Sequence, residues 1–201
     1  IMKAKFCAVT LSLFMALILF GAAADAAAYD AGARAKKIWF QTLNRTAHSV
    51  LLKYKMLGSD PATITMAMDK TLVAVDMKSP DGHSTVIHDT KQMKSTMVMH
   101  DEKMYMVLKT DPRQVPKLAG DKEEKPNMTI SAGTEKINGK NYDFDKIVFD
   151  KEDAQLYYFE PGTDKWKYWR AGGELFEILE YGTAPDKSLF TVPSGYEEMK
   201  M

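Results

Sequence analysis

The chain has 201 residues, and its 27 basic side chains are balanced by 27 acidic ones, so the formal net charge is zero. A balanced charge gives no long-range attraction to nucleic acid or to an anionic membrane, so we expect no nucleic-acid partner and find no support in the charge for membrane binding. The single cysteine excludes a disulfide within the chain, so the fold must be stabilised by its hydrophobic core.

The first part of the chain has the three-part layout of a secretory signal peptide. Two lysines precede a continuous apolar run over residues 8–20, and small residues follow with a cleavage site near Ala28. The apolar run is shorter than the roughly 18–20 residues of a membrane-spanning helix, which leaves an uncleaved anchor as the alternative. We therefore expect an exported protein in which residues 1–28 are removed and residues 29–201 form one domain. Because Cys7 lies before the apolar run and not after it at the cleavage point, we do not expect a lipid-modified cysteine, and the mature domain would contain no cysteine.

One helix and many strands are predicted in the rest of the chain. Apolar residues at three- and four-residue spacing predict an amphipathic helix from Tyr29 to Thr46. Alternating apolar residues, in short runs between turn residues, then predict an antiparallel meander. Its strands are 50–57, 62–69, 72–78, 83–89, 92–100, 103–109, 128–137, 141–149, 154–160, 166–170 and 174–181.

Two places interrupt this rhythm. Residues 110–127 contain three prolines and a charged run, which predict a surface loop, with a mobile flap over an opening as the alternative. The apolar phase shifts near Asp145, which predicts a β-bulge there. Without alternating strands and helices, the pattern indicates a mainly β fold: a single curved antiparallel sheet with an N-terminal helix.

The order of these parts and several short motifs resemble the periplasmic lipoprotein-carrier (LolA/LolB-like) superfamily, through an uncharacterised exported branch. The motifs are Lys136–Tyr142, Tyr157–Phe159, the turn Pro161–Asp164 and the closing segment Leu189–Tyr196 (LFTVPSGY). The resemblance implies an unclosed half-barrel that wraps a helix and a hydrophobic cavity in the bacterial periplasm. It also implies that the protein carries lipid-modified proteins or other acyl ligands. The chain departs from the carriers because no arginine matches their functional residues.

Three Met-x-Met pairs are the main candidate site, because residues two apart on a strand lie on the same face. Methionine repacks around varied partners, so this face predicts either a methionine-rich core or the wall of an apolar cavity. Soft thioethers also select Cu(I), which makes a copper-binding protein an alternative. The candidate ligand-binding residues are Met66, Met68, Met97, Met99, Met104, Met106, Tyr54 and Trp166.

Two groups of side chains have less specific patterns. Trp166, Tyr168 and Trp169 predict cross-strand aromatic packing with the neighbouring strand, or an aromatic rim at a cavity mouth. The histidines at 48, 83, 88 and 100 have no zinc-ligand spacing. In a regular strand, His100 would point to the opposite face of the sheet from Met99, and His83 to the opposite face from His88. We therefore expect no metal among these histidines.

The sequence predicts a non-catalytic binding protein. It has no nucleophile elbow, P-loop or dinucleotide-binding glycine motif, so we expect no enzyme activity, no catalytic residues and no cofactor. The expected ligand is a lipid or the acyl chain of a lipoprotein. A lipid-sensing adaptor in envelope signalling, with a membrane or envelope protein as its partner, is a further alternative. We expect a monomer.

Overall fold

The computed structural model of the protein describes residues 32–42, 49–58, 60–109, 128–149 and 154–200. The predicted signal peptide, the predicted loop 110–127 and both ends of the predicted first helix lie outside these residues. No helix in the described part of the chain is long and apolar enough to cross a membrane.

The described chain contains one α-helix and twelve strands, which confirms the mainly β prediction. Helix α1 is Ala33–Thr42, and a short 3-10 helix covers Lys187–Phe190. All eleven predicted strands are present, with ends shifted by no more than two residues. The strands are β1 Ser49–Met56, β2 Thr63–Asp69, β3 Leu72–Ser79, β4 Gly82–Asp89, β5 Lys94–Met99, β6 Met104–Lys109, β7 Met128–Ile137, β8 Lys140–Phe149, β9 Gln155–Phe159, β10 Trp166–Ala171, β11 Glu174–Gly182 and β12 Glu197–Glu198.

The strands form one curved, unclosed sheet. It consists of two antiparallel meanders, β1–β6 and β7–β11, which are joined where β1 pairs with β11. The short strand β12 pairs in parallel with β6, so β7 and β12 lie at the two ends of the sheet. The curvature and the open ends agree with the predicted half-barrel.

The sheet has apolar side chains on both faces. The face that packs on α1 is called the helix face, and the other is called the outer face. The main core lies on the helix face, where the apolar side of α1 (Ala35, Ile38 and Trp39) packs on the sheet. Its buried sheet residues are Leu52, Tyr54, Ile64, Met77, Ile147, Tyr157, Phe159, Trp166, Trp169, Phe176 and Ile178.

Two smaller clusters stabilise the outer face. Over β1–β5, buried Leu51, Ala67, Ala74, Ile87 and Val98 are packed against the closing segment of the chain. That segment contributes Leu189, Phe190, Val192 and Tyr196, so the LFTVPSGY motif has a structural role. Over β7–β11 the outer face has its own aromatic-rich cluster.

The bulge predicted near Asp145 is wrong, because the register of β8 against β7 and β9 is unbroken there. The apolar phase shifts because both faces of β8 are packed. Tyr142 and Phe144 join the outer-face cluster, whereas Ile147 joins the core on the helix face. Asp145 shares the face of Ile147, since the two residues are two apart on a regular strand.

Register shifts occur instead in β10 and β11. One shift leaves Leu179 as an extra residue in β11 opposite β1. The other falls between Trp166 and Tyr168, where β10 pairs with β9. Because of this irregularity Trp166 and Trp169, three residues apart, both pack into the helix-face core.

Candidate functional site

The six methionines of the Met-x-Met pairs all lie on the helix face. Met66 and Met68 oppose Val75 and Val73 of β3, whose side chains continue this face, and Met66 also packs against the main core. The other four methionines are on β5 and β6. There Met97 is paired with Met106 and Met99 with Met104, on the face opposite Val98. The structure therefore places all six methionines on one face, but in two groups that strands β3 and β4 separate.

Methionine burial divides the helix face into a closed part and a more open part. Met66, Met68, Met97, Met99, Met104 and Met106 are all partly exposed. Among the described residues, the four on β5 and β6 lie outside the packed clusters. A purely structural core would enclose such side chains, so this part of the sheet offers apolar surface from flexible side chains.

The four methionines of β5 and β6 form a two-by-two array, called here the thioether quartet. Directly opposed residues in an antiparallel pair have Cβ atoms about 4.5–5.5 Å apart, and diagonal neighbours remain within reach of long side chains. The quartet can therefore gather several sulfur atoms on one side of one hairpin. His100 follows Met99, but its side chain lies on the outer face, as predicted. There its Nδ1 shares a hydrogen bond with the Tyr196 hydroxyl.

Tyr54 and Trp166, the two aromatic candidates, lie in different surroundings. Tyr54 is 1% exposed and is held edge-on by Trp169 and Phe176, with ring centroids 6.1 and 5.5 Å away. Burial raises the pKa of its hydroxyl. Tyr54 is therefore part of the closed core. Trp166 is 8% exposed, and it lines a cleft beside α1.

This cleft, of about 600 Å³, opens between α1 and strands β9–β11. Its volume falls within the range of small-molecule pockets. Apolar and charged side chains line it together, which suits a molecule with an apolar part and a polar end. The lining residues are Ala33, Arg34, Lys37, Ile38, Phe159, Asp164, Lys165, Trp166, Lys167, Ile178, Leu179, Glu180 and Tyr181.

Aromatic rings build the apolar wall of the cleft. Trp166 meets Tyr181 edge-on at 5.5 Å and lies 5.5 Å from Tyr157, with which it shares the core. Burial raises the pKa of Tyr181 to about 12, so its hydroxyl keeps its proton above pH 10, where an exposed tyrosine ionises. The cross-strand aromatic packing predicted for β9 and β10 is confirmed, because Trp169 opposes Tyr157 and Tyr168 opposes Tyr158.

A buried carboxylate fixes α1 beside the cleft. Asp145, which is 2% exposed, accepts hydrogen bonds from the Arg34 guanidinium and from the backbone N–H of Ala35, each at 3.1 Å. Arg34 also donates to the carbonyl of Thr163 at 3.0 Å and lies 4.2 Å over the ring of Phe159. These contacts satisfy an N–H group at the beginning of the helix and place a cation at the cleft.

The sequence interpretation missed two groups of residues. It did not predict the contact between Arg34 and Asp145, which are far apart in the chain. It also treated His83 and His100 separately, whereas the structure places both beside Asp76 on the outer face. Side-chain alternation along the strands could have shown this, because the strong turn between β3 and β4 sets the register of the hairpin. In that register His83 and Asp76 lie on the same face of the sheet.

Comparison with known proteins gives a family but no activity. The profile of a family described as "Domain of unknown function (DUF4412)" matches residues 52–157, which run from β1 to β9 and include all six methionines. No curated protein matches the sequence. A solved structure, the crystal structure of an uncharacterised conserved protein from Thermus thermophilus, is similar with a TM-score of 0.49. It is 6% identical, and the match covers 82% of this chain and 98% of that chain.

Proposed function

The chain belongs to the DUF4412 family, and on that premise we propose that it is a non-catalytic binding protein for an apolar ligand, a lipid or a protein-linked acyl chain. The observation that carries this proposal is the partly exposed thioether quartet on the helix face, outside the packed clusters of the described residues. A surface of flexible, polarisable side chains accommodates ligands of varied shape.

The energetic basis is burial of apolar surface. Each CH₂ group of an acyl chain contributes about 0.8 kcal/mol when it leaves water, so a long chain offsets the cost of its immobilisation. The cleft beside α1 supports the same class of ligand, because Trp166 and Tyr181 give it an apolar wall. Arg34, Lys37 and Lys165 line it as well, and they would attract an anionic head group.

Export and carriage are part of the proposal. A signal peptide over residues 1–28 would deliver the domain to the periplasm, where acylated proteins need to be shielded from water. The closing LFTVPSGY segment resembles that of uncharacterised exported members of the lipoprotein-carrier superfamily, which is a further reason for this proposal. Under this proposal the partner is the acylated protein or the free lipid.

Native mass spectrometry of the protein purified from its own host tests the proposal. We expect a dissociable adduct of lipid-like mass, absent from the denatured spectrum. Met97→Glu should remove the adduct and weaken binding of a fluorescent fatty acid at least about 10-fold, because an unpaired charge is costly in an apolar contact. Thr96→Glu is the matched control, since Thr96 is partly exposed on the outer face of the same strand. A wild-type protein with no adduct and no fatty-acid binding would refute the proposal.

The quartet favours one second candidate, a Cu(I)-binding protein. The pairing of Met97 with Met106 and Met99 with Met104 offers soft sulfur ligands without a cysteine. The double change Met97→Leu with Met99→Leu separates the two candidates. It should abolish binding of Cu(I) in a chelator competition, but leave fatty-acid binding nearly unchanged because volume and apolarity are kept. Fatty-acid binding lost while the fold survives would contradict our account of this face.

A further inference from the structure

We infer that Asp76, His83 and His100 form a binding site for a divalent transition-metal ion of the Zn²⁺ class, on the outer face of the sheet. The three residues come from β3, β4 and the turn after β5. One ligand atom from each lies within 4.8 Å of the others. This site is separate from the thioether quartet and does not depend on the function proposed above.

The spacing of the three donors is close to that of a metal site. Asp76 Oδ1 lies 2.6 Å from His83 Nε2 and 3.9 Å from His100 Nε2. Donors at the usual 2.0–2.1 Å from a tetrahedral zinc ion lie about 3.3 Å apart, which is between these two distances. The imidazole rings of His83 and His100 are stacked with centroids 3.7 Å apart, so both present the same edge to Asp76. Because the rings are nearly parallel, binding would tilt them apart to direct both nitrogens at one ion.

The hydrogen bonds around the site show how the protons are held without an ion. The Thr85 hydroxyl donates to Asp76 Oδ1 at 2.7 Å, so its contact of 2.7 Å with His100 Nε2 must be one that it accepts. In its neutral form His100 therefore carries its proton on Nε2, and its Nδ1 accepts from the Tyr196 hydroxyl at 3.0 Å.

An ion would displace two hydrogen bonds of this network, from His83 Nε2 to Asp76 and from His100 Nε2 to the Thr85 hydroxyl. The ring protons of His83 and His100 would move from Nε2 to Nδ1 by exchange with solvent, with no net proton loss, so that both Nε2 lone pairs face the metal. His100 would then carry its proton on Nδ1 and donate it to the Tyr196 oxygen. Metal-bound histidines usually donate their second N–H to such a partner. Tyr196 therefore completes the site from the closing segment of the chain.

Burial and charge also suit a cation. Asp76 and Thr85 are buried, whereas the side chains of His83 and His100 are 27% and 17% exposed, which leaves a path for the ion. Asp101 lies next to the site, where its carboxylate accepts the backbone N–H of His83. Two imidazoles and one carboxylate suit Zn²⁺ and related borderline ions rather than Ca²⁺ or Mg²⁺, and leave the fourth position to water.

Titration calorimetry of the untagged full chain with Zn²⁺ alone tests the inference, with Co²⁺ absorption as a second readout. We expect one saturable equivalent. Tyr196→Phe should weaken binding about 10- to 100-fold, as changes next to a ligating histidine do, and His83→Gln or Asp76→Asn should weaken it more. His88→Gln is the matched control, because His88 lies on the same strand but on the helix face, and it should leave binding unchanged.

Two results would overturn the inference. One is a wild-type chain that takes up no saturable Zn²⁺ or Co²⁺. The other is a folded His83→Gln protein that binds as tightly as the wild type. If the variants do not fold, histidine side-chain ¹⁵N spectra of the wild-type protein decide the matter. Zn²⁺ must shift Nε2 of His83 and His100 and leave His88 unaffected, and any other pattern refutes the site.

Discussion

The hydrogen bonds of Asp145 predict a large loss of stability when its charge is removed. Asp145 is 2% exposed, and its two oxygens accept from Arg34 and from the backbone N–H of Ala35. In Asp145→Asn the amide can accept only one of these bonds and turns an N–H group toward the other donor. A lost bond to a charged group costs about 1.5–3 kcal/mol, and an orphaned buried donor about 1–3 kcal/mol.

Arg34 is one-quarter exposed, so water will compensate part of that loss. We therefore expect Asp145→Asn to lower the free energy of unfolding by about 2–4 kcal/mol, a large share of the 5–15 kcal/mol typical of a domain. Urea unfolding followed by tryptophan fluorescence measures it directly, because the core tryptophans lie beside the helix. Asp164→Asn is the control, since Asp164 is exposed at the same cleft and should stay within about 0.5 kcal/mol of wild type.

A double-mutant cycle isolates the ion pair from the rest of the effect. Arg34→Met keeps much of the packing over Phe159 but removes the charge. The double variant should lose at least about 1 kcal/mol less free energy of unfolding than the two single variants together, because both changes remove the same interaction. If Asp145→Asn unfolds within about 0.5 kcal/mol of wild type, or the two changes add, the carboxylate does not anchor the helix and the reasoning is refuted.

Two further predictions concern backbone strain and pH. Gly32 has a φ of +80°, and a Cβ there would collide with Ile130. Gly139 has a similar φ of +82° but open space around it, so Gly139→Ala should lower the free energy of unfolding by about 1–2 kcal/mol. Gly32→Ala should lower it by much more, because the collision adds to the backbone strain. Equal losses in urea unfolding would contradict this. Burial raises the pKa of Tyr54 and of Tyr181, the latter to about 12, so the folded state holds protons that the unfolded chain releases from about pH 10. The stabilisation that these tyrosines contribute is therefore fully present below pH 10. Above pH 10 the free energy of unfolding falls by up to about 1.4 kcal/mol per pH unit for each buried tyrosine, and Tyr54→Phe should make this fall less steep. A stability that is constant from pH 9 to pH 11 would refute the argument.

Alternation along the chain predicted the strands well because most of them have a face with a clear apolar pattern. It failed at β8, where Tyr142, Phe144 and Ile147 are all packed but on different faces. A strand with two packed faces looks like a strand with a bulge, because in both cases the apolar phase changes. The true irregularities, at Leu179 and after Trp166, are set by pairing with β1 and β9, which one strand does not encode by itself.

The methionine site was predictable where it follows from the alternation of side chains along a strand and from the register of a hairpin. Alternation placed the methionines on one face, and the connection between β5 and β6 decided that Met97 meets Met106. The helix anchor could not be predicted in the same way, because Arg34 and Asp145 meet only after both halves of the sheet have assembled. A charged residue at an inward position of a strand is the only signal that Asp145 gives in the sequence.

The ligand surface and the proposed metal site share strands but can be separated by mutation. Met99 and His100 are adjacent in the chain, yet they point to opposite faces of the sheet, as neighbours on a strand do. A change on one face can therefore leave the chemistry of the other intact. If Zn²⁺ binding survives loss of the thioethers and fatty-acid binding survives loss of His83, the sheet carries two independent sites. If either change removes both activities, the faces are coupled through the strands, and the closing segment that contacts His100 through Tyr196 is the element to examine first.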